Sequence, residues 1–134
     1  MLHTKSNFRA TRERVGLSQK AFANLMGNSV DIVKKWEHEN YLLPPDDAWE
    51  MLEGALSVHM EAVDTTVENI RRRIAEIGYK PESFDLVYFR SQAQYDEIGR
   101  DSGDYRIINA RSREIAVRLE QLGIPVEFHS PETL

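Results

Sequence analysis

Histidine, cysteine and clustered carboxylates are the side chains that most often carry catalysis or hold a metal, and this chain uses them sparsely. It has no cysteine, which removes disulfides, iron–sulfur clusters and thiolate zinc sites. His3, His38, His59 and His129 are scattered, and none stands in an HExxH or another ligand spacing. There is no Gly-rich phosphate loop, no GxSxG elbow and no acid–base constellation beyond ordinary surface carboxylates. An enzyme is therefore not expected, nor a metal or other cofactor. What remains is the chemistry of recognition, concentrated in the amides, hydroxyls and ammonium groups between Gly16 and Glu37.

Charge is distributed in a way that suits such recognition. The net charge is −5, but residues 1–45 carry seven Lys/Arg against four acids, while residues 46–134 carry ten against eighteen. A basic front on an acidic body fits a DNA-binding module joined to a separate partner-binding part. Hydrophobic residues at 41% and charged residues at 29% are ordinary for a globular protein. The opening MLHTKSNFRA has no apolar signal region and the apolar runs are short, so no membrane association is expected and the expected location is cytoplasmic, in a bacterial nucleoid or a phage-infected cell.

The elements that must position these groups are mostly helical. Phe8, Thr11, Arg12 and Val15 share one face of a helix over 6–15, which Gly16 ends. Ser18 reads as the N-cap of a helix from Gln19 to Met26 that buries Phe22, Ala23 and Met26. Gly27-Asn28-Ser29 is a tight turn, with Ser29 a further N-cap, and a third helix from Val30 to about His38 turns Val33 and Trp36 inward. Pro44 and Pro45 break the chain. Asp46 or Asp47 then caps a long helix over about 46–77, roughly 45 Å of it. Its stripe runs through Trp49, Leu52, Leu56, Met60, Val63, Val67, Ile70, Ile74 and Ile77, close to a heptad seam.

The last third, 78–134, reads as a small α+β piece. A strand over 84–89 is followed by a brief helix over 91–99 and a turn at Ser102-Gly103-Asp104. A helix striped by Tyr105, Ile108, Ile115, Leu119 and Leu122 leads to a second strand at 125–128 and a tail. The expected fold class is thus mainly α with a small α+β C-terminal part. It comprises an N-terminal domain over 1–55, a long connecting helix, and a strand–helix–helix–strand piece over 78–134.

The stretch GLSQKAFANLMGNSVDIVKKWE meets the demands of a helix-turn-helix. Leu17, Phe22, Met26, Val33 and Trp36 are apolar, Ala23 is small where two helices cross, and Gly27 permits the turn. It resembles the Cro/CI-type (XRE, phage-repressor-like) helix-turn-helix family through Leu17-Ser18-Gln19, Phe22-Ala23, Met26-Gly27, Ser29, Val33 and Trp36-Glu37. The spacing from Gln19 to Ser29 and from Ser29 to Glu37 fits that family without gaps; the resemblance covers about residues 6–55 and implies a lambda-repressor-like helical bundle whose third helix enters the major groove.

That resemblance implies roles residue by residue. Gln19 matches a glutamine that contacts phosphate and base edge at a helix N-terminus. Ser29, Val30, Asp31, Lys34 and Lys35 match the face that reads DNA. Lys35 would donate to guanine and Lys34 reach a base or phosphate, while Val30 would meet a thymine methyl and Asp31 accept from cytosine. Asn40 and Tyr41 occupy a loop that meets backbone phosphates. Arg12 and Glu37 match an ion pair that orients an arginine towards phosphate. Two departures stand out: Glu39 replaces the glycine that usually ends the third helix, with Asn40 next as a left-handed residue, and Leu25 is apolar where relatives are polar, which implies burial.

Across its whole length the chain is similar to YdiL-like regulators and to anti-CRISPR-associated autorepressors. The shared features are Trp36-Glu37, Pro45-Asp46-Asp47, a long helix, Tyr88-Phe89, and a final helix with Ala110, Ala116 and Leu119. This implies a homodimeric autorepressor on an inverted repeat in double-stranded DNA. Val63, Val67, Ile70, Ile74, Tyr88, Ile115 and Leu119 are the residues expected at the dimer seam; packing of the same stripe on its own tail is the other use for it. Two further readings remain: an antitoxin whose acidic C-terminal part binds a toxin, and a scaffold that keeps the fold without binding DNA.

Overall fold

The computed structural model describes residues 1–98 and 101–131. The fold is mainly helical with one small two-stranded sheet, and the chain divides into two compact units, Met1–His59 and Met60–Leu134. Among the described residues no helix is long and apolar enough to cross a membrane.

In the N-terminal unit, α1 (Lys5–Arg14) starts slightly ahead of expectation because Thr4 caps it, its hydroxyl accepting from the Asn7 amide at 3.1 Å. Gly16 follows at φ 85° and turns the chain into α2 (Gln19–Met26), where the Ser18 hydroxyl accepts from the Ala21 amide. Gly27 ends α2 at φ 70°. A Cβ at this position would meet nothing within 4 Å, so glycine is required there for its backbone angle and not for space. Helix α3 spans Val30–Glu37; Ser29 holds the cap position in extended conformation but makes no side-chain cap bond.

Phe8 is the hub of this unit. It is fully buried and meets the rings of Phe22, Trp36 and Trp49 edge to face, at centroid distances of 5.3, 6.2 and 5.2 Å. Such pairs add about 0.5–1.5 kcal/mol each beyond the area they bury. One ring therefore ties α1, α2, α3 and the start of α4 (Asp46–Ile77) together. Leu25, by contrast, is 56% exposed rather than buried. The Pro45 carbonyl accepts from Ala48 and Trp49, which puts Asp46 and Asp47 both inside the first turn of α4, where the helix dipole favours them, rather than at the cap.

The buried stripe of α4 drifts away from a strict heptad. Trp49, Leu52, Val63, Val67 and Ile70 are buried, but His59 takes the inward place expected of Met60, and Met60 and Ile77 are exposed. A period of 3.6 residues makes this rotation unavoidable over 32 residues.

The C-terminal unit begins at Met60, inside α4, rather than at 78. It continues through β1 (Phe84–Val87), α5 (Gln92–Ile98), α6 (Tyr105–Gln121) and β2 (Val126–His129). The end of the expected brief helix at Gly99, and the tail beyond Pro131, lie outside the described residues. The strands pair in parallel, Phe84 with Val126 through Val87 with His129; parallel pairing needs a long crossover, which α5 and α6 provide. Val63, Val67 and Ile70 pack with Leu86, Ile115, Ala116, Leu119 and Ile124, and Ile74, Phe84 and Val126 close the edge.

That cluster takes five of the seven residues expected at a dimer seam into the unit's own interior, the other use open to the stripe. Val63, Val67, Ile70, Ile115 and Leu119 are the unit's own core, with Ile74 packed against it. Tyr88 is also used internally, its ring on Phe128 and its hydroxyl accepting from Arg113. A two-stranded sheet cannot bury its apolar face alone, so α4 and α6 must cover it. Leu122, the C-cap residue of α6, is exposed, and the buried face of the helix includes Asn109, Ala110 and Ser112. The Asn109 amide both donates to and accepts from the Phe89 backbone, at 2.7 and 2.9 Å, satisfying it beyond the end of β1.

Beyond α5, Asp101 accepts from the hydroxyl of Tyr95, which lies within that helix, at 2.5 Å, and the Gly103 amide donates to the same oxygen at 2.8 Å. These bonds hold the Asp101 carboxyl below its ordinary pKa, the tyrosine contributing most. The stabilisation is complete above about pH 4, where an unfolded aspartate is ionised, and is lost as pH falls through the lowered native value. The melting temperature of Asp101→Asn should therefore lie below wild type at neutral pH, and the gap should close on acidification below about pH 4.

Candidate nucleic-acid interface

Arg12 leaves α1 on its buried face and meets Glu37 at the end of α3. The contact is bidentate, Nε donating to Oε2 at 2.6 Å and Nη2 to Oε1 at 2.8 Å, with side-chain exposures of only 7% and 4%. The third nitrogen, Nη1, donates to the Leu17 carbonyl at 2.8 Å, just before α2. One guanidinium thus fixes α1, the entrance of α2 and the end of α3. Gln19 joins them, its Nε2 donating to Glu37 Oε1 at 3.2 Å. The ion pair that the resemblance implies between Arg12 and Glu37 is present, and Gln19, half-buried at the start of α2, is hydrogen-bonded into the same network.

The end of α3 is held by a residue that the helix-turn-helix pattern does not single out. The Lys5 ammonium donates to the carbonyls of Lys35 (3.1 Å), Trp36 (2.9 Å) and Leu42. These include carbonyls that a helix terminus leaves without internal partners, and a cation at that end also suits the helix dipole. The ammonium supplies donors at the end of a helix that no glycine follows. Consistently, His38 ends α3 in an extended conformation, and Asn40 is not left-handed, since among the described residues only glycines have positive φ. The absence of a helix-ending glycine does signal that another donor is needed; nothing in the spacing says it is Lys5.

The outer face of α3 is set by what points inward. Val33 and Trp36 are buried, so Asp31 and Lys35, four residues apart, lie on the opposite side, flanked by Lys34. All three are exposed, as is Ser29, while Gln19 and Val30 are half-buried. Asn40 and Tyr41 are exposed on the loop beyond; the Asn40 amide donates to His38 Nδ1 at 3.3 Å, and the Tyr41 ring stands edge-on to His38 at 4.8 Å. The geometry offers two ammonium groups, one carboxylate and one small apolar side chain on a single short helix. Its rigid support is a set of buried hydrogen bonds.

Removing one member of a buried ion pair leaves the other charge uncompensated, at a cost of about 3–5 kcal/mol. Arg12→Ala should lower the unfolding free energy by about that amount in urea denaturation. Lys5→Met, which strands helix-end carbonyls that water can partly solvate, should cost only about 1–2 kcal/mol.

No family model matches the chain, and no curated protein matches it.

Proposed function

We propose that the chain is a sequence-specific DNA-binding transcriptional regulator that reads the major groove with α3. The observation that carries this reading is the outward set of Asp31, Lys34 and Lys35 on a helix whose opposite face is locked by Trp36 and by the Arg12–Glu37 pair. Lys35 donates to guanine O6 and N7, Lys34 reaches a base or a phosphate, Asp31 accepts from cytosine N4, and Val30 lies against a thymine methyl. Gln19 and Ser29 engage the backbone at the helix starts, with Asn40 and Tyr41 on the neighbouring phosphates. Arg12 acts through Glu37 as a positioning residue for Gln19.

A single module of this kind reads few base pairs, so a homodimer on an inverted repeat, acting as an autorepressor, supplies the remaining affinity. The dimer contact falls on side chains outside the C-terminal core, because Val63, Val67, Ile70, Ile115 and Leu119 are consumed within it. The excess of acids after residue 45 supports a second reading, an antitoxin whose C-terminal part captures a basic toxin. Co-purification with the product of a neighbouring gene separates the two, since an autorepressor elutes as a homodimer.

The direct test is binding to DNA fragments selected from the genome, followed across salt concentration. The logarithm of affinity should fall linearly with the logarithm of salt, by about 0.9 per phosphate neutralised. Lys35→Ala should weaken specific binding by roughly 1–3 kcal/mol and relax one base position. Gln19→Ala should lower affinity with the sequence preference unchanged. Affinity indifferent to salt, or wild-type footprints from both variants, would overturn the reading.

A further inference from the structure

The parallel register of β1 and β2 does something no spacing in the sequence announces. It sets Asp85 directly opposite Glu127, and His129 two residues further along the same face. His129 Nε2 lies 3.1 Å from Asp85 Oδ1 and 3.6 Å from Glu127 Oε2, and one donor atom from each residue lies within 4.8 Å of the others. Two carboxylates placed opposite each other on neighbouring strands repel, which destabilises the pairing. A divalent cation between them reverses the sign of that interaction.

We propose that Asp85, Glu127 and His129 form a binding site for a zinc-class divalent cation on the outer face of the sheet. Donor distances favour this. Two ligand atoms bound to zinc at about 2.0–2.2 Å in tetrahedral geometry stand about 3.3–3.6 Å apart, so the two separations from His129 need adjust by only a few tenths of an ångström, and the two carboxylates, within 4.8 Å of each other, close by a side-chain rotation. The donor set also discriminates among ions. One imidazole with two carboxylates suits zinc, cobalt or nickel, whereas calcium and magnesium prefer oxygen alone. Three protein ligands leave a fourth position for water. With side-chain exposures of 55%, 63% and 26%, the ligands are open to an ion arriving from solvent.

The strands fix the three backbone positions on one ladder, so only side-chain rotamers remain to be ordered on binding. An ion there clips residue 85 to residues 127 and 129, across the whole α5–α6 crossover, and stabilises the folded unit by an amount that grows with the logarithm of the free ion concentration above Kd. The site belongs wholly to the C-terminal unit, draws on no residue of α3 and does not depend on the chain binding DNA.

The test is titration of the chelator-stripped full-length chain with Zn²⁺ by calorimetry, with Co²⁺ as the spectroscopic probe. The expected result is one ion per chain, a visible Co²⁺ absorption band, and a rise of several degrees in melting temperature with Zn²⁺. His129→Ala and Asp85→Asn, both at exposed or part-exposed positions, should each weaken binding by about tenfold or more while leaving the far-ultraviolet spectrum unchanged. His3→Ala, which removes the separate His3–Glu53 pair, should bind like wild type. Absence of a Zn²⁺-dependent heat and melting shift in the wild-type chain, or unchanged binding in the Asp85→Asn/His129→Ala double variant, would overturn the proposal.

Discussion

A guanidinium and a carboxylate withdrawn from water must satisfy each other almost completely, and Arg12 and Glu37 do so through hydrogen bonds of 2.6 and 2.8 Å. Because the remaining nitrogen binds the Leu17 carbonyl, the pair specifies the relation of three helices at once. Apolar packing around Phe8 supplies bulk stabilisation, but rings tolerate sliding in a way that a bidentate, buried ion pair does not. The outward direction of Asp31, Lys34 and Lys35 therefore depends on a contact made beneath them.

The same logic explains the end of α3. A helix that stops without a left-handed glycine leaves carbonyls in need of donors, and here the donor comes from another helix. Lys5 also binds the Leu42 carbonyl, so the segment bearing Asn40 and Tyr41 is anchored at both ends. A cation is thereby withdrawn from the surface charge of the basic front, and five of the seven bases there remain exposed: Arg9, Arg14, Lys20, Lys34 and Lys35.

In the C-terminal unit, two four-residue strands have little strength of their own. Their apolar face is covered by α4 and α6, and their free backbone is satisfied by side chains such as Asn109 and by Ser112, whose hydroxyl donates to the Val87 carbonyl. That requirement consumes the aliphatic seam of α4. It leaves Asp85, Glu127 and His129 as the features of the outer face.

The amino-acid sequence alone determined the helices of the N-terminal unit, because caps, glycines and 3.6-residue spacing are local: Ser18 and Gly27 bound α2 where expected, and the proline pair precedes α4. It likewise determined which face of α3 is apolar. Tertiary structure alone decided what each charged residue does. Arg12 and Lys5 are both basic residues on α1, yet both point into backbone or carboxylate partners tens of residues away. The stripe of α4 reads equally as a dimer seam or an internal core, since periodicity reports that a face is buried and not against what. Strand register is also non-local: Asp85 and His129 stand 44 positions apart in the chain, and no local signal says that their side chains will meet. Only the folded chain brings them together, because backbone pairing is set by the crossover and the core it must cover.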